Sequence, residues 1–102
     1  MDYAFSSDGT LLKCMLTGEF TFNDHPAFRG MIDEAVKTGA KSIQIDLADI
    51  EYIDSAGLGM FLVAQERARE EGWRFSISNP REKVEKMFTL AKLGTIVTII
   101  KD

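Results

Sequence analysis

The chain holds a single cysteine and a single histidine, and these two scarcities exclude much of the chemistry open to a small protein. With Cys14 alone, neither an internal disulfide nor a multi-cysteine metal site can form, and a lone cysteine in a strand-like segment is typical of the core. A Ser-His-Asp triad needs a histidine, and His25 is the only one. Because His25 lies beside a predicted helix start, we expect a capping or surface residue.

Excess positive charge is also missing. Twelve basic residues stand against 16 acidic ones, for a formal net charge of −4, which argues against a nucleic-acid partner. No polybasic run is present for an anionic membrane, and no apolar stretch approaches the roughly 20 residues of a spanning helix. The segment from Met1 to Phe5 lacks the features of a signal peptide. We expect a cytoplasmic protein with no membrane partner.

Apolar periodicity predicts five strands and three helices in one domain, residues 1–102. The predicted strands are Tyr3–Ser6, Leu11–Thr17, Ser42–Leu47, Arg74–Ser78 and Ile96–Ile100. The predicted helices run from about Ala27 to Thr38, from Ser55 to about Glu71, and along an apolar stripe of Val84, Met87, Phe88 and Ala91 that ends at Gly94. The order ββαβαβαβ indicates an α/β fold: a mixed, mostly parallel sheet of about five strands with helices packed against it.

The most informative segment is Tyr52-Ile-Asp-Ser-Ala-Gly-Leu-Gly59, which follows the third strand through an acidic turn. It places Ser55 at a helix N-terminus, where free N–H groups and the helix dipole favour an oxygen acceptor or an anion. Ser55 is therefore either an ordinary N-cap or a place for a phosphate. A hydrolase nucleophile is disfavoured, because Ile53 stands where the Gly-x-Ser-x-Gly elbow needs glycine.

Nucleotide and metal binding have weaker signals. Gly57-Leu58-Gly59 lacks the spacing of a dinucleotide fingerprint. The carboxylates before the helix suggest a solvated acidic turn more than a magnesium site, and we expect neither a metal nor a cofactor. The residues concerned are Asp46, Asp49, Glu51 and Asp54.

The helix after Ser55 is apolar on more than one side. Its predicted core stripe consists of Leu58, Phe61, Leu62, Gln65 and Ala68. Met60, Val63 and Ala64 are apolar too, and the whole stretch from Ala56 to Ala64 lacks charged and polar side chains. The helix is either buried on most sides or carries an exposed apolar patch beside Ser55. We favour the patch, as a protein-binding site, because full burial is difficult in a domain with three helices.

The chain resembles the stand-alone STAS domains, the bacterial anti-sigma-factor antagonists. The resemblance covers essentially the whole chain and rests on Leu16-Thr-Gly-Glu-Phe20, Ile45-Asp-Leu47 and the Asp-Ser-x-Gly-Leu-Gly core at residues 54–59. It implies a transcription-regulating binding module, not an enzyme, in which a partner that is both serine kinase and anti-sigma factor phosphorylates Ser55. The unphosphorylated form binds this partner, the phosphorylated form is released, and a serine phosphatase resets it. A monomer is the expected state.

The resemblance also implies a set of partner-binding residues. They are Thr21, Asp24, Asp54, Ser55, Ala56, Gly57, Leu58, Gly59, Met60 and Val63. The chain departs from the family where Thr21 replaces an aspartate common after the Gly-Glu pair, although Asn23 or Asp24 can occupy similar space. The alternative is a STAS subunit of a non-sigma complex in biofilm, secretion or stress signalling, with Ser55 as a switch or only as a helix cap.

Overall fold

The computed structural model describes residues 1–101 and contains one five-stranded sheet with strands in the order β1 to β5. The elements are β1 Asp2–Asp8, β2 Leu11–Phe20, α1 His25–Lys37, β3 Ser42–Ile53, α2 Ser55–Glu71, β4 Arg74–Ser78, α3 Glu82–Leu90 and β5 Thr98–Ile100. Short 3-10 helices span Phe22–Asp24 and Leu93–Thr95. The predicted α/β fold and the order ββαβαβαβ are confirmed.

The connections place all three helices on one face of the sheet. β1 pairs antiparallel with β2, whereas the other neighbours are parallel. Because the right-handed crossovers all step in one direction, their helices lie on the same side. Phe61 of α2 confirms this, since its ring contacts Phe28 of α1 and Phe88 of α3. The opposite face carries a polar row, with Gln44 paired between Lys13 and Ser76.

The third strand is longer than predicted, and the acidic turn expected after Leu47 does not form. Residues 49–53 continue β3 and pair with residues 17–20 at the end of β2. Ile50 and Ile53 are buried, whereas the acidic residues between and before them face solvent. Asp49 and Glu51 thus lie on the exposed side of a strand, and the ribbon of β2 and β3 extends beyond the residues that pair with β4.

The last third of the chain also differs in its boundaries. α3 ends at Leu90, and Ala91, expected in the buried stripe, is exposed. Lys92 adopts a left-handed conformation with φ 55°, and Leu93 fills the core position after it. β5 is shorter than predicted because its paired region begins at Thr98. α1 begins two residues earlier than expected, with Pro26 in its first turn, a position that needs no N–H donor.

An aromatic cluster on the helical face holds the layers together. Phe61 is fully buried, and its ring centroid lies 5.1 Å from that of Phe20, 5.8 Å from Phe28 and 6.0 Å from Phe88. It also lies 6.4 Å from the ring of Phe75 on β4. One side chain of α2 therefore contacts two strands and both other helices.

Replacing Phe61 by alanine should lower the free energy of unfolding by about 3 to 5 kcal/mol, because it leaves a cavity among four rings. Leu62→Ala at the next position is the control and should cost under about 1 kcal/mol, because that side chain is already exposed. Urea unfolding followed by circular dichroism measures both. Equal losses would contradict the assignment of Phe61 to the centre of the core.

Candidate functional site

Asp54 is the N-cap of α2 and joins three segments of the chain. Its Oδ1 accepts a hydrogen bond of 2.9 Å from the Gly57 N–H, and its Oδ2 accepts one of 3.1 Å from the Phe22 N–H. Its own N–H donates to the Phe20 carbonyl oxygen at 3.3 Å. The start of α2 is thereby fixed to the end of β2 and to the segment that leads into α1.

Ser55 is the first residue of α2 and is exposed, so the expectation that it could serve as the helix cap is wrong. The N–H groups of Gly57 and Leu58 are occupied, since Gly57 donates to Oδ1 of Asp54 and Leu58 donates to the carbonyl oxygen of Asp54. Within residues 1–101, the N–H groups of Ser55 and Ala56 have no hydrogen-bond acceptor. The hydroxyl therefore lies at the positive end of the helix with two free donors beside it.

Thr21 and Asp24 form a second capping arrangement beside this turn. The Thr21 N–H donates to Oδ2 of Asp24 at 2.9 Å, and the Met1 ammonium donates to Oδ1 at 3.1 Å. Burial favours a higher pKa for Asp24, but the Thr21 N–H and the ammonium outweigh it and hold the pKa below its usual value. Asp24 is thus an ionised, hydrogen-bonded residue of the loop.

Gly57 is required by the packing of α2 against the sheet. A Cβ at this position would lie 2.7 Å from Cγ2 of Ile53 and 2.9 Å from the carbonyl oxygen of Phe20. Because one of these atoms belongs to the backbone, the contact has no room to relax. Gly57 is buried by this contact, so the structure removes it from the expected partner surface.

The faces of α2 differ from those predicted. Met60, expected in the exposed patch, is 5% exposed, and Ala64 is buried with it. Leu62, expected in the core, is 39% exposed, and Val63 is 66% exposed. The side of α2 that faces solvent near Ser55 therefore consists of Ser55, Gly59, Leu62 and Val63, which we call the α2 strip.

Phe22 is a candidate contact residue that the sequence analysis missed. Its side chain is 72% exposed, and its N–H is held by Asp54. The available signal was a large apolar residue in a short, polar connection between β2 and α1. Ala56 and Leu58 lie beside the α2 strip and are half-buried, so each exposes only part of its side chain to a partner.

The other candidate residues remain apart from one another. His25 is exposed at the start of α1, and the carboxylate of Asp46 accepts from the Ala48 N–H at 2.9 Å. Asp49 lies 4.0 Å from Arg81. In the described part of the chain, no three His, Cys, Asp or Glu side chains converge as metal ligands. Among residues 1–101, no helix has the length and apolar character to span a membrane.

Comparison with known proteins identifies the family. The profile of the family described as "Mlab, STAS domain" matches residues 3–99, so the chain belongs to the STAS domain family. It is 29% identical over 94 residues to the STAS-domain containing protein PA14_20770 of Pseudomonas aeruginosa, with 92% of each chain covered. It is 27% identical over 88 residues to the anti-sigma-B factor antagonist of Bacillus subtilis, covering 86% of this chain and 80% of that protein.

The fold is shared with a solved anti-sigma factor antagonist. The unphosphorylated form of SpoIIAA superposes with a TM-score of 0.81 at 21% sequence identity, covering 99% of this chain and 88% of that one. SpoIIAA of Bacillus has also been solved in a phosphorylated form, which matches with a TM-score of 0.73 and 20% identity. At these identities the likeness establishes the fold.

Asp54→Ala should lower the free energy of unfolding by about 2 kcal/mol, because the N–H groups of Gly57 and Phe22 both lose their acceptor. Asp54→Asn keeps one side-chain oxygen and should cost less than half as much. Glu51→Ala, an exposed acidic residue on β3, is the control and should change stability by under about 0.5 kcal/mol. Chemical denaturation measures all three. An Asp54→Ala variant with the same free energy of unfolding as the wild type would contradict the capping role.

Asp24→Asn should lower the free energy of unfolding at pH 7 by about 0.5 to 1 kcal/mol. The loss is smaller than that expected for a buried ion pair, because solvent screens the Asp24 carboxylate. The pKa of Asp24 is lower in the folded protein than in the unfolded chain. Its stabilisation is therefore present above the unfolded pKa and is lost as the pH falls through the folded pKa. The gap between variant and wild type should close over that acidic range. A gap that persists at the lowest pH would contradict this.

Proposed function

We propose that the protein is an anti-sigma-factor antagonist whose partner binding is switched by phosphorylation of Ser55. The observation that carries the proposal is the division of roles between adjacent residues. Asp54 caps α2 through its carboxylate, so the Ser55 hydroxyl is exposed and has no structural task. A hydroxyl of this kind can accept a phosphoryl group without loss of the helix start.

The local electrostatics support a folded phosphorylated form. A phosphate on Ser55 adds about −1.5 to −2 charges at the positive end of α2, where the Ser55 and Ala56 N–H groups can donate to it. The Asp54 carboxylate opposes the phosphate by like-charge repulsion. The two hydrogen bonds that the carboxylate accepts from Gly57 and Phe22 hold it in place against that repulsion. The modification is therefore tolerated by the fold.

The same phosphate disfavours a bound partner. The α2 strip and the side chain of Phe22 offer apolar surface next to Ser55. A protein that packs on this surface excludes water from it, and a dianion enclosed there without a cation is costly. Phosphorylation thus releases the partner while the domain stays folded.

The relatives suggest the identity of the partner. The Bacillus subtilis relative is named as an anti-sigma-B factor antagonist, and SpoIIAA is described in both unphosphorylated and phosphorylated forms. By this likeness, the partner is an anti-sigma factor that is also the serine kinase for Ser55, and a serine phosphatase reverses the modification. The protein acts as a monomeric cytoplasmic binding module and kinase substrate, with no catalytic activity or cofactor of its own.

A second candidate is a STAS subunit that regulates a complex unrelated to sigma factors. The Pseudomonas aeruginosa relative is matched over more of both chains than the Bacillus subtilis one, and it is named by its STAS domain and not as an anti-sigma factor antagonist. Under this alternative the α2 strip still binds a protein, and Ser55 is the switch or is unmodified. The two candidates differ in whether the bound partner is an anti-sigma factor.

Ser55→Ala should bind the anti-sigma factor as tightly as the unphosphorylated wild type, whereas Ser55→Asp should bind about tenfold more weakly or worse, because it places a charge in the interface. Isothermal titration against the purified anti-sigma factor measures both affinities. Ser6→Asp on β1, placed opposite Lys13, is the matched control and should bind as the wild type does. Equal affinities of Ser55→Ala and Ser55→Asp would rule out the switch.

A further inference from the structure

β1 is an edge strand whose outer side has no neighbouring strand in the described part of the chain. It pairs with β2 from Asp2 to Asp8 without a register shift, so the edge is long and regular. It contains no lysine, no proline and no bulge, which are features that commonly protect a sheet edge from pairing. The opposite edge strand, β5, has three residues and is followed by Lys101. In the described sheet, β1 is therefore the edge that is open to an added strand.

The hairpin determines which backbone groups of β1 point outward. Asp8 and Leu11 pair with each other across a two-residue loop. Such a pair exchanges hydrogen bonds within the hairpin, and hydrogen-bonded and non-hydrogen-bonded pairs then alternate along the strands. The backbone groups of Tyr3, Phe5 and Ser7 therefore face away from β2. Within residues 1–101 no turn or loop group bonds to them, so the edge offers three N–H donors and three C=O acceptors.

Two carboxylates mark the ends of this edge. Asp2 and Asp8 are exposed, and among the described residues neither has an ion-pair partner. Both lie on the face of the sheet opposite the helices, roughly 20 Å apart at about 3.4 Å per residue. On the same face, Lys13 of β2 lies opposite Ser6, between them. One ammonium between two carboxylates leaves this edge negative, so cationic side chains are favoured opposite Asp2 and Asp8.

The other side of β1 presents two aromatic rings. Tyr3 and Phe5 pair with buried residues of β2, so both rings lie on the helical face. Their centroids are 5.5 Å apart, and Tyr3 is 39% exposed. The Tyr3 hydroxyl donates to the Glu34 carboxylate of α1 at 3.1 Å, which orients the ring. β-Branched side chains of an added strand would pack against these rings across the strand pair.

A second copy of the chain fits this edge less well. Antiparallel pairing of two β1 strands over their full length would place Asp2 of each copy opposite Asp8 of the other, which is repulsive. A shift by two residues in either direction separates the carboxylates but leaves only residues 2–6 or 4–8 paired. The charges therefore favour a basic segment of a different protein.

We infer that β1 binds an extended, basic segment of a partner protein, which adds to the sheet as a further strand. Its β-branched side chains cover Tyr3 and Phe5, and its cationic side chains lie opposite Asp2 and Asp8. In the sheet, β2 lies between β1 and the strand that leads into α2. This second surface is therefore separate from the α2 strip, and its use does not depend on phosphorylation of Ser55.

The probe is a peptide with the sequence Lys-Val-Thr-Val-Thr-Val-Lys, acetylated and amidated at its ends. Its valines would lie opposite Tyr3, Phe5 and Ser7, and its lysines opposite Asp2 and Asp8. The matched control peptide has glutamate in place of both lysines. The lysine peptide should bind at least about tenfold more tightly than the glutamate peptide. Amide chemical-shift changes in an NMR titration measure both affinities.

Methylated peptides test the backbone hydrogen bonds. In the added strand, the valine N–H groups point to β1 and the threonine N–H groups point away from it. N-methylation of the central valine should weaken binding about tenfold or more, whereas N-methylation of one threonine should change it less than about threefold. Amide hydrogen exchange at Tyr3, Phe5 and Ser7 should slow in the complex.

Charge reversal tests the two carboxylates. The double variant Asp2→Lys with Asp8→Lys should prefer the glutamate peptide by about tenfold. Its matched control, Glu51→Lys with Glu70→Lys, changes the net charge equally at exposed positions outside β1 and should keep the preference for the lysine peptide. Ser55→Asp should bind the lysine peptide as the wild type does.

Four results would overturn the inference and leave the proposed function intact. They are no binding of the lysine peptide at about 1 mM, equal affinities for the two peptides, equal effects of the two methylations, and an unchanged peptide preference after reversal of Asp2 and Asp8. A dimer of the protein in analytical ultracentrifugation that Ser7→Pro dissociates would also overturn it. Proline at position 7 removes an outward N–H, so that result would assign the edge to a second copy.

Discussion

The close approach of α2 to the ends of β2 and β3 at Gly57 is the constraint on which the candidate site depends. With no Cβ at this residue, the helix backbone comes within contact distance of Ile53 and of the Phe20 carbonyl oxygen. This contact sets the rotation of α2 about its axis. Met60, Phe61 and Ala64 then face the core, and the α2 strip faces solvent.

Because the carboxylate of Asp54 caps α2, the start of this helix does not depend on the side chain of Ser55. It satisfies the Gly57 N–H and holds the segment that contains Phe22, so neither task falls to Ser55. A residue that both caps a helix and receives a phosphate would lose its cap on modification. In the proposed switch the two roles belong to neighbouring residues, so phosphorylation would add charge to the binding surface of an otherwise unchanged fold.

Much of this arrangement follows from sequence patterns. Alternation and turn residues predicted the five strands and the order of elements, and the Asp-Ser-x-Gly-Leu-Gly core located the site. The side of α2 that faces the core was not predictable, because residues 56 to 64 are apolar on every side of the helix. The spacing of apolar residues therefore favours no single face in this segment. The packing determines which side of α2 is buried. The small residues Gly57, Ala64 and Ala68 face the sheet, and Leu62 faces solvent.

Two further features depended on contacts distant in sequence. The extension of β3 to Ile53 arises from pairing with the end of β2, and the acidic residues within it concealed the strand pattern. The capping bond of Asp54 comes from the nearby Gly57 N–H, but its second oxygen accepts from the Phe22 N–H, a contact that no local pattern shows. A local pattern allows either Asp54 or Ser55 to cap, since both residue types are favoured at that position.

The central claim is that Ser55 receives a phosphate in the cell. The most direct test is tandem mass spectrometry of the protein after incubation with ATP and an extract of its source cells. The account predicts phosphate on the peptide that contains Ser55, assigned to that residue, and no phosphate on the corresponding peptide of Ser55→Ala. Phosphate on another residue of the site such as Thr21, or no phosphate at all, would contradict it.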